Sequence, residues 1–345
     1  MRNIHLLAYL FAAFAPIVAS AQSADTSGGG TLSIYYENDL FAGTDHYYTN
    51  GVNISWSSTD LAKFSDTRYA SPLLPLLDLI PFVNRKDFQK NLTFSIGQNI
   101  YTPTNTETAE PLPNDRPYAG WLYGGIGLVV KNADFRHSFG LDIGVVGPWS
   151  FAEQAQRTVH QARGFAVPRG WDNQLHNELG LVGVYELSWR WPHHDRRVGL
   201  SWDFIPHVGF AVGNVYDYVN AGGELRAGFN LPDDFGTPDI GPAATTSTPA
   251  EGNQQATRAK IFDLGAYVFA RADGRLVARN IFLDGNTFRD SASVHHKWPV
   301  ADLSAGASVN FRNTKVTYAL VYRTEEFVGQ KAGEVFGSIT VNVAF

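Results

Sequence analysis

Ser338-Ile339-Thr340-Val341-Asn342-Val343-Ala344-Phe345 ends the chain in strict alternation, with Ile339, Val341, Val343 and Phe345 on one side and Ser338, Thr340, Asn342 and Ala344 on the other. A period of two means a β-strand with one apolar and one polar face. Val316, Tyr318, Leu320 and Tyr322 repeat the pattern upstream, with Lys315, Thr317 and Arg323 between them. Val52, Ile54 and Trp56 alternate with Asn53, Ser55 and Ser57 in the same way. Similar segments fall near 31–40, 91–101, 118–131, 135–147, 178–191, 199–213, 217–230, 261–283 and 299–311, which makes twelve in all.

Strands of this kind build either a soluble sandwich, apolar face inward, or a membrane barrel, apolar face toward lipid. Arg2 precedes an apolar stretch from Ile4 to Val18, and Ala19-Ser20-Ala21 offers a cleavage site, so residues 1–21 read as a secretory signal. About 15 apolar residues fall short of the ~20 that a spanning helix needs. Export, Tyr and Trp near strand ends, and the terminal Phe345 predict an all-β fold. It is a transmembrane antiparallel barrel of about twelve strands over 31–345, after a lead-in at 22–30. Asp273-Gly274 can form a hairpin, but an odd strand count would separate the termini. Segment 261–283 is therefore expected to be one long, bulged strand.

Composition agrees. With 345 residues, no Cys, 17% charged and 44% hydrophobic residues and a net charge of -6, the chain has no thiol nucleophile, no disulfides and enough apolar surface to fold. The acidic balance without a basic run argues against nucleic acid as a partner. The barrel is expected to act as a monomer.

With both termini in the periplasm, the outward connections are 41–47, 102–117, 148–177, 214–216, 284–298 and 325–333. The inward ones are 58–90, 132–134, 192–198, 231–260 and 312–313. Two inward ones are long for such a barrel. Residues 58–90 carry Leu73-Leu74-Pro75-Leu76-Leu77, which suggests a surface-lying segment, and 231–260, rich in Pro, Thr, Ala and Gly, reads as mobile. Neither gives a functional signal.

The unusual polar residues gather at the outward rim: Glu37-Asn38-Asp39, Tyr48-Thr49-Asn50-Gly51, Gln98-Asn99-Ile100-Tyr101-Thr102-Pro103, Asn114-Asp115-Arg116-Pro117-Tyr118-Ala119-Gly120 and Gly147-Pro148. Taken singly, each is ordinary turn chemistry. Their co-location is not. Ser150 with Glu153 fits a capping box and Gly164 a C-terminal stop, which predicts a loop helix over 151–163. Phe151, Ala155, Val159 and Ala162 share one face and read as its packing surface. Gln156 and His160, four apart, share the opposite face with Arg163. His193-His194 and His295-His296 lie in connections and read as surface.

No G-x-S-x-G elbow, H-E-x-x-H, EF-hand loop or phosphate-cradling glycine motif is present. Hydrolysis would therefore use an activated water, for which a neutral histidine is the natural base. Asn38, Asp39 and the Thr49 hydroxyl are oxygen donors of the kind a hard cation such as Ca²⁺ takes.

Together with Asp115-Arg116-Pro117-Tyr118-Ala119-Gly120, Gln156, His160, Trp171-Asp172-Asn173-Gln174-Leu175 and Asn177-Glu178, the rim motifs resemble those of the outer-membrane lipid A 3′-O-deacylase family. The likeness runs from about residue 30 to the C-terminus and is most specific over 36–178. It implies a twelve-stranded barrel and Ca²⁺-dependent hydrolysis of the ester-linked 3′ acyloxyacyl chain of lipid A. His160 matches the base that activates water, and Asn38, Asp39 and Thr49 match residues around the cation and ester, with Asn38 and Asp39 as metal ligands. Gln156 matches a helix residue of the same site. The family's Lys after the third strand and Glu after the catalytic histidine fall at Thr108 and Ala166 here, neither of which can do the same work. Arg116, Arg163, Glu153 and Glu178 are candidate substitutes. Arg116, Arg157, Arg163 and Arg169 can meet the lipid A phosphates, with Arg116 and Arg163 foremost as substrate ligands. Two other readings stay open: an outer-membrane phospholipase-type esterase, and a non-catalytic barrel acting as a pore or binding protein.

Overall fold

A computed structural model describes residues 29–41, 43, 47–66, 83, 85–191, 199–237 and 264–345. The signal at 1–21, the lead-in up to 28, Leu73–Leu77 and His193-His194 lie outside the described residues. The strands are β1 (Gly30–Asn38), β2 (Tyr47–Ser58), β3 (Gln89–Thr102), β4 (Ala119–Lys131), β5 (Phe135–Val146) and β6 (Glu178–Trp189). They continue with β7 (Leu200–Gly213), β8 (Tyr216–Phe229), β9 (Leu264–Asn280), β10 (Pro299–Phe311), β11 (Thr314–Arg323) and β12 (Glu334–Ala344). Each pairs with its sequence neighbour, and β1 closes on β12. The seam runs from Thr31 opposite Ala344 to Asn38 opposite Gly337, and Gly30 and Phe345 exchange two main-chain hydrogen bonds of 2.9 Å. Gly30 and Phe345 thus lie at one end of the barrel; the other is called distal below. No helix among the described residues is long and apolar enough to cross a membrane.

The period-two pattern decides which way the strands face. Ile54, Ile96, Leu181, Val212 and Val268 are exposed on the outer surface. Ser33, Asn53, Asp142, Asp203 and Arg226 are buried inside. That is the reverse of a soluble sandwich and fits a barrel in lipid. β9 passes straight through Asp273-Gly274, which pair with Asp302 and Ala301 of β10, and its register shift against β8 falls at Asp217/Tyr218. One long bulged strand is therefore what forms.

Charged side chains fill the lumen. Asp203 accepts two hydrogen bonds from Arg226, at 2.9 and 2.7 Å, and Asp234 binds both Arg226 and Lys315. Asp234 comes from the connection after β8, read from composition as mobile. Instead its first residues fold into the barrel: Leu231 packs on Tyr267 and Phe269, and the Thr237 amide donates to Glu224. The rest of that connection lies outside the described residues. The distal lumen is closed by aromatic side chains of Tyr48, Tyr101, Trp121, Tyr123, Phe282 and Phe336.

Two helices matter. The loop helix α1 spans Ala152–Arg163, and a single turn, α2 (Ile281–Asp284), takes over where β9 was expected to run on to 283. It stacks Phe282 on Tyr101 at 4.2 Å. His296, expected on the surface, is half-buried with its Nδ1 on the Asp284 carboxylate at 2.5 Å.

Candidate active site

The site begins with how the chain leaves β5. Gly147 has φ 92°, and a Cβ there would meet the His176 carbonyl at 2.6 Å, so only glycine makes this turn. Its amide donates to the Gly120 carbonyl, and the Trp149 amide donates to Asn177 Oδ1 at 2.7 Å. Pro148–Ser150 form a short turn, and Phe151, at φ 57°, opens α1. The helix then folds back onto the outer wall of β3 and β4. Ala152 joins Ile100, Tyr118 and Trp171 in one buried cluster, Gln98 Nε2 donates to the Ser150 carbonyl at 2.6 Å, and Gly120 leaves room for Ala152.

The expected capping box does not form. Ser150 Oγ donates to the Gly147 carbonyl at 2.6 Å, and Glu153 pairs with Arg157 at 2.7 Å. The left-handed Phe151 directs the chain so that Ser150 faces its own turn. Gly164, at φ 69°, does stop the helix.

The helix is turned opposite to the expectation. Ala152, Gln156 and His160 are its buried residues, whereas Phe151 and Val159 are exposed. The reason is the surroundings: beside a lipid-facing wall the apolar stripe has no need of a protein core. His160 is 4% exposed, and its Nδ1 lies 2.6 Å from the Ala166 carbonyl. A carbonyl only accepts, so Nδ1 carries the proton and Nε2 is the basic nitrogen in the neutral ring. The edge of the Phe165 ring meets the imidazole at 5.8 Å between centroids.

Gln156 is 3% exposed and accepts from the indole of Trp171, Nε1 to Oε1, at 2.8 Å. An indole N–H only donates, which fixes the amide with Nε2 on its other side. That Nε2 is buried and has no hydrogen-bond partner among the described residues. Trp171 was part of a motif in the sequence, but its grip on Gln156, fifteen residues away, was not legible there.

Across from the helix stand the ends of β1 and β2. Asn38 donates to Asn50 Oδ1 at 3.3 Å and accepts the Leu40 amide at 2.8 Å, turning the chain after β1. Asp39 is fully buried at that turn. Tyr48 pairs with Tyr101 and Asn50 with Ile100, so Thr49 is the extra residue of a β-bulge. Its hydroxyl meets that of Thr102 at 2.7 Å. The helix rests on β3 and β4, and β3 is followed round the barrel by β2 and β1, so the helix pair and this oxygen-rich wall share one side of the barrel.

Other expected participants sit elsewhere. Arg116 is buried with its guanidinium 3.0 Å from Glu326 and 4.8 Å over the Tyr101 ring, as a buried cation requires. Glu178 accepts from Asn214, Asn286 and the Thr287 amide and ties distal loops together. Thr108 Oγ1 accepts the Glu110 amide. Arg163 is exposed, over the Phe165 ring, and Arg169 is exposed as well. A lumen cavity, with room of about 150 Å³, lies between Tyr123, Tyr218, Asp302 and Arg323, on the far side of the wall from α1. Among the described residues, no group of three or more His, Asp and Glu is arranged to hold a metal.

A family model described as outer membrane protein LpxR matches residues 6–345. Among solved structures, LpxR from Salmonella typhimurium is 21% identical, covering 91% of this chain and 100% of that one, with a TM-score of 0.72. The β domain of the Bordetella autotransporter BrkA is 9% identical over 92% of this chain and 100% of that one, at a TM-score of 0.41, too slight a likeness to argue from. No curated protein matches.

Proposed function

The chain belongs to the LpxR family of outer membrane proteins, and from that premise we propose that it is a lipid A 3′-O-deacylase of the bacterial outer membrane. The distal loops would face outward, toward the leaflet that holds lipopolysaccharide. The observation that carries the reading is the buried pair Gln156 and His160 on the outer wall, where a lipid can arrive and a lumen solute cannot.

In the proposed reaction His160 Nε2 takes a proton from water as the water oxygen attacks the ester carbonyl. The tetrahedral intermediate then collapses: the bond between the carbonyl carbon and the sugar oxygen breaks, and the imidazolium returns its proton to that oxygen. The acyloxyacyl chain departs as a carboxylic acid, which gives up its proton to solvent. Burial of both side chains would strengthen the interactions on which this depends. Gln156 Nε2 would donate to the developing oxyanion.

Asp39, Asn38 and Thr49 would hold Ca²⁺. The oxygen chemistry of these three side chains supports this, since a hard cation takes carboxylate, amide and hydroxyl oxygens. When bound, the cation would supply further electrostatic stabilisation of negative charge. Of the two arginines first considered for the phosphates, exposed Arg163 is the better placed, since Arg116 already neutralises Glu326.

Mass spectrometry of lipid A from cells expressing the chain tests the reading. Loss of an acyloxyacyl mass, only with Ca²⁺, is expected. Unchanged lipid A beside a folded, membrane-inserted barrel overturns it, and release of fatty acid from glycerophospholipid instead would mark a phospholipase.

A further inference from the structure

Phe151 and Val159 are 58% and 43% exposed on α1, with exposed Ala162 extending the stripe, and Trp149 and Phe165 flank it at 65% and 41%. Water-facing helices carry polar residues there; soluble proteins seldom leave such a patch open. Its level relative to the bilayer follows from the strands. Outward-facing residues of β5 run from Phe135 to Val145, and ten residues at about 3.3 Å each, tilted by roughly 40°, span about 25 Å along the barrel axis. That equals the usual height of the apolar band, about 25 Å. Val145 pairs with Leu179, 67% exposed, and the next rung pairs Val146 with the polar Glu178. Gly147 bonds to Gly120, against which Ala152 packs. So α1 is seated one rung past the outward-facing pair Leu122 and Val145, at the edge of the lipid-facing wall.

We propose that this stripe, with Trp149 and Phe165, lies among the acyl chains of the leaflet at the distal end, so that lipid reaches His160 sideways from within the membrane. The second half of that statement rests on the reading of His160 as the base; the first half does not. An interfacial helix has an apolar face in the acyl region and charges at its edges, as Arg157, Glu153 and Arg163 are here. The occupant is lipid hydrocarbon because the helix carrying the stripe is seated at the edge of a wall that already faces it.

The chain has no Cys, so Val159→Cys carries a single nitroxide. In phosphatidylcholine vesicles its collisions with oxygen and with a water-soluble nickel chelate are compared with those of Leu181→Cys on the wall and Glu107→Cys in a loop. Oxygen-favoured collisions like those at Leu181 are expected. Chelate-favoured collisions like those at Glu107 overturn the proposal. Phe151→Cys reads the same stripe should the first variant fail to give a heat-modifiable barrel. Because the label reads depth without any hydrolysis, a lipid-exposed stripe on an inactive barrel and a water-exposed stripe on an active one are told apart.

Discussion

Ala166 lends its main-chain carbonyl, at 2.6 Å, to Nδ1 of His160. A residue six positions past the histidine thus orients the ring, through the backbone. Gly164 makes this possible: its left-handed turn lets the Phe165 amide bond back to the His160 carbonyl and brings the next residue under the imidazole. A carbonyl fixes the tautomer but adds no negative charge. His160→Ala should lower lipid A deacylation by about 10²–10⁴-fold, the range of a lost general base. The variant barrel should stay heat-modifiable. Undiminished hydrolysis would remove His160 from the reaction.

Trp171 should matter nearly as much as the residue it holds. Trp171→Phe removes the donor that orients Gln156 and strands a buried amide oxygen, which costs about 1–3 kcal/mol. Trp171→Phe and Gln156→Ala should each lower kcat, and the double variant should be little worse than Gln156→Ala alone. Independent, multiplying losses would show that the indole acts through something other than Gln156.

Gly120 separates fold from site. A Cβ there would lie 2.2 Å from Ala152 Cβ and from Ser150 Oγ, so Gly120→Val must lift α1 off the wall. The barrel pairing of β3, β4 and β5 does not depend on that contact. Activity should fall at least tenfold while heat-modifiability is kept. Full activity in a folded Gly120→Val variant would mean that the seat of α1 is unimportant.

One carboxylate among neutral oxygens makes a weak cation site. Sites with few charged ligands bind Ca²⁺ at about 10⁻⁴–10⁻³ M. Chelation should therefore abolish hydrolysis readily, and Ca²⁺ titration should restore it in that range. Asp39→Asn should need far more Ca²⁺, or not respond. Unchanged activity in EDTA would exclude the cation.

How legible this was varied with the physics. Twelve strands, even β9 through Asp273-Gly274, followed from a period of two, because the pleat forces alternate residues to opposite faces. Gln156 and His160 were read as one face from their spacing alone. Which way that face turned was not, since an apolar stripe signals a protein core in water and a lipid surface here. The inward fold of 231–237 was hidden for another reason. Pro, Gly and Asp in that stretch read as a loop, while the partners that capture Asp234 are Arg226, eight residues earlier, and Lys315, far along the chain.

Asp234 also sets how the barrel responds to acid. Burial alone would raise its carboxyl, but Lys315 and Arg226, both ion-paired with it, more than reverse that and hold it well below the usual carboxylate range. A group depressed in the folded state contributes stability that is fully present above its unfolded pKa, about 3.9, and is lost as pH falls toward the folded value. Stability should therefore be flat in this respect from neutral pH to about 5 and then fall. Removing the carboxylate leaves Lys315 and Arg226 with one counter-charge fewer, so Asp234→Asn should lower stability at neutral pH by about 3–5 kcal/mol. The same variant should lose much of the decline below pH 4. Denaturant unfolding in detergent across pH 3–7 measures both effects, and an acid limb unchanged in Asp234→Asn would assign that dependence to other carboxylates of the lumen.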